Sequence, residues 1–173
     1  MAKYFRLKEL CMLKRIGMIF LFSLTVVGLV HAQPKLTIEG AWVITETSAT
    51  GQYAFNQKAT QPSLYIFTKK HYSIMKINGT EPRPEISYAN NANLDEIRKV
   101  YVEGYIANSG TYEIKDGRIT FRPTIAKNPT SMKKDSFSIS AIKVEGDILI
   151  LTTESGDKGP APMAVTTKLK RVE

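Results

Sequence analysis

Few residues of this chain have a type and spacing that could carry a reaction. Downstream of residue 32 there is one histidine, His71, and no cysteine. A Ser-His-Asp arrangement would have to use His71, yet no Gly-x-Ser-x-Gly turn presents a serine, and Lys69-Lys70-His71 reads as a solvated turn. The chain has no glycine-rich phosphate loop and no histidine pair at ligand spacing. Asp95 and Glu96 are adjacent, so they cannot oppose each other across a site; in the first turn of a helix they suit its dipole. The expectation is therefore no catalytic residue, no metal and no cofactor.

Two arginines invite a binding role. Arg83 lies between Pro82 and Pro84, and two prolines stiffen a loop and narrow the directions its guanidinium can take. It could hold a carboxylate through two parallel hydrogen bonds, or it could pair with Glu81 or Glu85. Arg122, beside Pro123 at a strand end, is open to the same two readings. Asn78-Gly79-Thr80 reads as a turn.

The elements that must position these residues are short strands. The alternation predicts eight: Ile38–Thr47, Ser63–Thr68, Tyr72–Ile77, Gly110–Lys115, Arg118–Arg122, Ser136–Val144, Ile148–Thr153 and Val165–Val172. Asp116-Gly117 and Glu145-Gly146-Asp147 mark hairpins. Gly79–Asn93 and Ser155–Ala164 are too rich in Pro, Gly and Asn for regular structure. Between the two hairpin groups, Leu94, Ile97, Tyr101 and Tyr105 recur at near-helical spacing, with Asn93 as N-cap, Glu96 three residues on and Gly104 to stop the turn.

Parity places Trp42 and Ile44 on one face, and likewise Tyr65 with Phe67, Tyr72 with Ile74, and Tyr112 with Ile114. Ile119 with Phe121, Phe137 with Ile139, and Leu169 with Arg171 complete the inward set. The large rings after residue 32 are seven Tyr and four Phe. A buried tyrosine hydroxyl needs a partner, which a partly polar cavity supplies more readily than a dry core.

Met1–Ala32 has the form of a secretory signal. Lys3, Arg6, Lys8, Lys14 and Arg15 face one acid, Glu9, and precede an uncharged run, Ile16–Val30. Fifteen residues make about 22 Å of helix, against roughly 30 Å of hydrocarbon, so a cleaved leader fits better than an anchor. Cleavage is expected after Ala32, leaving one domain, residues 33–173, exported and without a stable membrane anchor. The lone cysteine, Cys11, precedes the apolar run and cannot accept a lipoprotein lipid. Five of the 24 basic residues and one of the 16 acids belong to this leader, leaving 19 and 15, a charge of +4 instead of +8. No concentrated basic stripe remains, so no nucleic-acid partner is expected.

Gly40-Ala41-Trp42, the meander of strands and Arg171 together resemble the lipocalin or calycin arrangement. More specifically, Gln61–Met75, Pro82-Arg83-Pro84, Ala107–Pro123, Ala126-Lys127-Asn128-Pro129 and Leu169–Glu173 are similar to bacterial lipocalin-like domains of unassigned function. The resemblance implies an all-β, eight-stranded antiparallel up-and-down barrel with one short helix, Trp42 plugging its closed end and Arg171 laid on the indole. On that fold the leading expectation is a secreted or periplasmic, non-enzymatic protein binding a small apolar or amphiphilic ligand in the barrel mouth. Tyr65, Phe67, Tyr72, Ile74, Tyr112 and Phe121 would line the site, Arg83 and Arg122 would meet an acidic head, and Gly79–Gly104 would act as a lid. The alternatives are an isomerase- or hydrolase-type enzyme in the same pocket, and a filled barrel that works through its surface. Oligomeric state is not legible.

Overall fold

The computed structural model describes residues 37–83, 85 and 93–173. The expected leader Met1–Ala32, Pro84 and most of Glu85–Asn93 lie outside these residues. Within them, eight antiparallel strands close into an up-and-down barrel: β1 Gly40–Ala49, β3 Ser63–Phe67, β4 His71–Ile77, β5 Tyr105–Lys115, β6 Arg118–Ala126, β7 Ser138–Glu145, β8 Ile148–Gly156 and β10 Val165–Arg171. Each pairs with its neighbour in the chain, and β10 closes the ring by pairing with both β8 and β1. Closure leaves the barrel without a long free edge.

Two short strands extend the predicted set. β2, Phe55–Lys58, pairs with the upper half of β1, and β9, Gly159–Pro160, folds back on the end of β8. The segment Ser155–Ala164, expected to be irregular, therefore begins as strand. Asp157 and Lys158 make the turn, Gly159 follows it at φ 98°, and Gly156 pairs with Gly159 across it.

Asp116 and Gly117 both take positive φ, 50° and 71°, the mirror-image turn whose twist matches the strands it joins. The hairpin it closes is longer than predicted, reaching Tyr105 on one side and Ala126 on the other. Pro123 lies inside β6, where its missing N–H matters little: the β6–β7 ladder ends at Phe121 and Ser138. Beyond that pair the two strands part, and the barrel acquires an opening.

The helical segment corrects the expected face. Asn93 Oδ1 accepts from Glu96 N at 3.0 Å and Glu96 Oε2 accepts from Asn93 N at 3.2 Å, a reciprocal cap that starts α1, Leu94–Ile97. From Arg98 to Glu103 the chain widens into a π-helical turn, and Gly104 ends it. The wider turn rotates later residues out of the 3.6-residue phase. Val100 is buried, whereas Leu94 is 83% exposed, and Tyr105 belongs to β5.

A second correction concerns β7. Phe137, Ile139 and Ala141 share one parity, while Ile142 and Val144 share the other, so the run cannot bury both sets. Ile142 is buried and Val144 packs on the core, which turns Ser138 and Ser140 inward in place of the expected Ile139, while Phe137, just before the strand, borders the hollow.

The core fills the closed half of the barrel with Ile38, Trp42, Phe67, Ile119, Leu149 and Leu169, each at most 2% exposed. Trp42 plugs that end. Its indole Nε1–H donates to the Ile38 carbonyl at 2.8 Å, and the Arg171 guanidinium lies 4.1 Å from the ring centroid while donating to the Glu39 carbonyl. Gly40, at φ 127°, permits this closure; a Cβ there would stand 2.2 Å from the Glu173 carbonyl oxygen.

Candidate functional site

Along each strand the inward side chains change character from the closed end to the mouth. Low in the barrel they are apolar and aromatic, as above. Higher up they are hydroxyl groups: Ser138 and Ser140 on β7, Thr153 and Ser155 on β8, Thr167 on β10. Short hydroxyl side chains leave the upper half unfilled, and a hollow of about 570 Å³ remains, within the range of small-molecule sites. Tyr65, Tyr72, Ile74, Phe121 and Leu151 form its apolar floor. It opens where β6 and β7 diverge, past Pro123, Asn128, Ser131 and Phe137, and Asp157 and Lys158 stand on its rim.

The eight residues expected to bind ligand separate into three groups. Tyr65, Tyr72, Ile74 and Phe121 border the hollow. Phe67 and Tyr112 pack below the floor: the two rings meet edge to face at 5.5 Å, and the Tyr112 hydroxyl donates to the Thr68 carbonyl at 2.6 Å. The arginines lie outside the wall. Arg122 is exposed over the Phe137 ring at 5.7 Å, because Phe121 points inward and parity sends its neighbour out. Arg83 is exposed and lies 5.4 Å over the Tyr105 ring, which Lys127 Nζ also approaches at 4.5 Å.

Nor does the helical segment cover this hollow. With Tyr105 and Lys127 it borders a second one, about 580 Å³, that shares Ile106, Asn108, Asn128 and Ser131 with the first. Lys127 Nζ donates to the Val102 carbonyl at 2.8 Å and to that of Tyr105, tying the segment to β6.

Tyr72 carries the least settled polar group of the floor. It is 3% exposed, its ring meets Phe121 edge to face at 4.8 Å, and its hydroxyl is buried without a hydrogen-bond partner. An orphaned buried hydroxyl costs about 1–3 kcal/mol. Tyr72→Phe is accordingly expected to raise the unfolding free energy of the ligand-free protein by about that amount, read from the urea midpoint at unchanged slope. An unchanged or lowered midpoint would show that the hydroxyl is satisfied after all.

Burial also moves titrations. It pushes the Tyr65 and Tyr72 phenols up from 10.0 to about 12. Both groups stay protonated in the fold where the unfolded chain would ionise. Their contribution is thus complete below pH 10 and is lost as pH rises from 10 to about 12. Urea midpoints should fall across that window, and a double Tyr65→Phe, Tyr72→Phe variant should show a shallower fall.

The residue that parity could have found, and that the strand assignment left without a role, is Lys76. It follows Tyr72 and Ile74 on the inner face of β4, is half-buried and borders the hollow. Burial pushes its ammonium below the ordinary lysine value. Among the described residues its ammonium forms no hydrogen bond or ion pair, and no three of His, Cys, Asp and Glu come together to hold a metal. His71 is exposed, its backbone N–H donating to Thr68 Oγ1 at 3.2 Å across the turn. The closed eight-stranded barrel is one capable of holding a ligand. No family model matches the chain, and no curated protein matches it.

Proposed function

We propose that this chain is an exported, lipocalin-like binding protein that takes a small amphiphilic molecule into the barrel mouth. The observation that carries the reading is the open hollow of about 570 Å³ with an aromatic floor and a wall of hydroxyl groups. Apolar ligand surface laid on Tyr65, Phe121 and Leu151 leaves water at roughly 25 cal/mol per Å². The serines and threonines above it exchange hydrogen bonds with a polar body as readily as with water. Export rests on the basic segment and uncharged run of Met1–Ala32. The enzymatic alternative needs an acid or base against the substrate, and the carboxylate that borders the hollow, Asp157, is exposed on the rim.

Three measurements test the proposal. Native mass spectrometry of protein isolated from its producing cells should show a bound mass that organic extraction removes. Titration with the neutral fluorophore N-phenyl-1-naphthylamine should then saturate at one site. An unliganded protein that also fails to bind the fluorophore overturns the binding reading. N-terminal sequencing should begin at Gln33; an intact Met1 in protein kept inside the cell overturns the export reading.

A further inference from the structure

We infer that the amphiphile carries a single negative head group, a carboxylate, and that Lys76 is the residue that recognises it; this rests on the binding reading above. The first support is position. Tyr72, Ile74 and Lys76 are successive inward residues of β4, so Lys76 lies about 13 Å further along the strand than the floor residue Tyr72, at 3.3 Å per residue, and roughly 10 Å nearer the mouth once the strand tilt is allowed for. A molecule with its apolar end on the floor brings its head to that level.

The second support is the charge balance of the wall. Below the rim, Lys76 is the charged side chain that borders the hollow, among neutral hydroxyl, amide and apolar groups. At the rim Lys158 and Asp157 offset each other. One net positive charge remains, which matches a monoanion and leaves the second charge of a phosphate dianion without an inward partner. Lys76 also borders a smaller hollow of about 180 Å³ beside β2, lined by Thr47, Gln57, Lys58 and Ser63, and among the described residues no acid lines that one either.

The third support is energetic. Partly burying an ammonium without an opposing charge opposes folding, because its lost hydration is not replaced. For the empty barrel a neutral side chain of the same length is the more stable choice. A carboxylate at Lys76 supplies what the protein lacks, a charge-assisted hydrogen bond in a partly desolvated site.

The test compares the parent protein with Lys76→Met, which keeps the length and removes the charge, and Lys76→Arg, which keeps the charge. Each is loaded with N-phenyl-1-naphthylamine and titrated with decanoate or with decan-1-ol. Decanoate should displace the fluorophore from the parent at about a tenth or less of the concentration needed for Lys76→Met, and Lys76→Arg should recover most of the difference. Decan-1-ol should act alike on all three. Decanoate binding equally to parent and Lys76→Met overturns the head-group inference while leaving the binding reading intact. Loss of fluorophore and decan-1-ol binding in a normally melting Lys76→Met also overturns it, since Lys76 would then shape the hollow. Binding of none of the three probes to the parent overturns both readings.

Discussion

Trp42→Ala should lower the unfolding free energy by about 3–5 kcal/mol, the range for truncating a buried tryptophan. Trp42 is wholly buried among Ile38, Phe67 and Leu169, each at most 2% exposed, so the cavity cannot fill by collapse of a loose neighbour. The change also strands two polar partners. The Ile38 carbonyl loses the indole N–H at 2.8 Å, and Arg171 loses the ring it covers at 4.1 Å. Set against a typical total of about 5–15 kcal/mol, this is about a fifth or more of the protein's stability. Urea denaturation measures it, with Arg171→Met as the companion: that variant should lose about 0.5–2 kcal/mol for the cation–π contact, together with the Glu39 and Asp147 contacts of the guanidinium. A Trp42→Ala loss below about 1 kcal/mol would mean that the closed end is not the anchor of the core.

Thr153→Trp should abolish binding of N-phenyl-1-naphthylamine while leaving the barrel folded. Thr153 is half-buried on the inner face of β8, opposite Ser140, where short hydroxyl side chains leave the hollow open. An indole there projects into the hollow instead of displacing packed side chains, so overpacking costs stay small. The space it takes is the space a ligand needs, and affinity should fall at least about a hundredfold, close to 2.8 kcal/mol. Fluorescence titration reads the loss and a thermal melt checks the fold. Full affinity in Thr153→Trp would place the probe elsewhere, with the second hollow beside Tyr101 and Tyr105 as the next position to block.

Some of this molecule is local and some is not. Asp116-Gly117 reports its turn because two positive φ values are needed there and few residue pairs accept them. Asn93 and Glu96 report a helix start because both halves of the cap lie within four residues. Alternation placed Trp42, Tyr65, Tyr72, Phe121 and Leu169 inward, and with them the closed end and the floor, since period-2 burial is written in each strand separately. Eight antiparallel strands follow from counting those runs and from connections short enough to join neighbours. That pattern fits a barrel or a sandwich; the closed barrel is what the lipocalin resemblance implied, and the β10 pairings with β8 and β1 close it.

What strand reading could not reach depends on pairs far apart in the chain. β7 carries two apolar pairs of opposite parity, and only packing against β6 and β8 selects Ile142 and Val144, bringing Ser138 and Ser140 to the hollow. The opening exists because the β6–β7 ladder stops at Phe121, a fact about two strands and not one. Arg83 looked suited to an acidic head by its prolines, yet its neighbour is Tyr105, while Lys76, ordinary in its local sequence, acquires meaning from the ring of strands that encloses it. Sequence by itself determined the strands, their inward faces and the aromatic floor, because those depend on local periodicity, and its lipocalin resemblance implied the closed barrel and the Trp42 plug. Tertiary structure alone decided how the hollow is walled, where it opens and which cation faces it, because each of these is a relation between strands that the chain brings together only on closing.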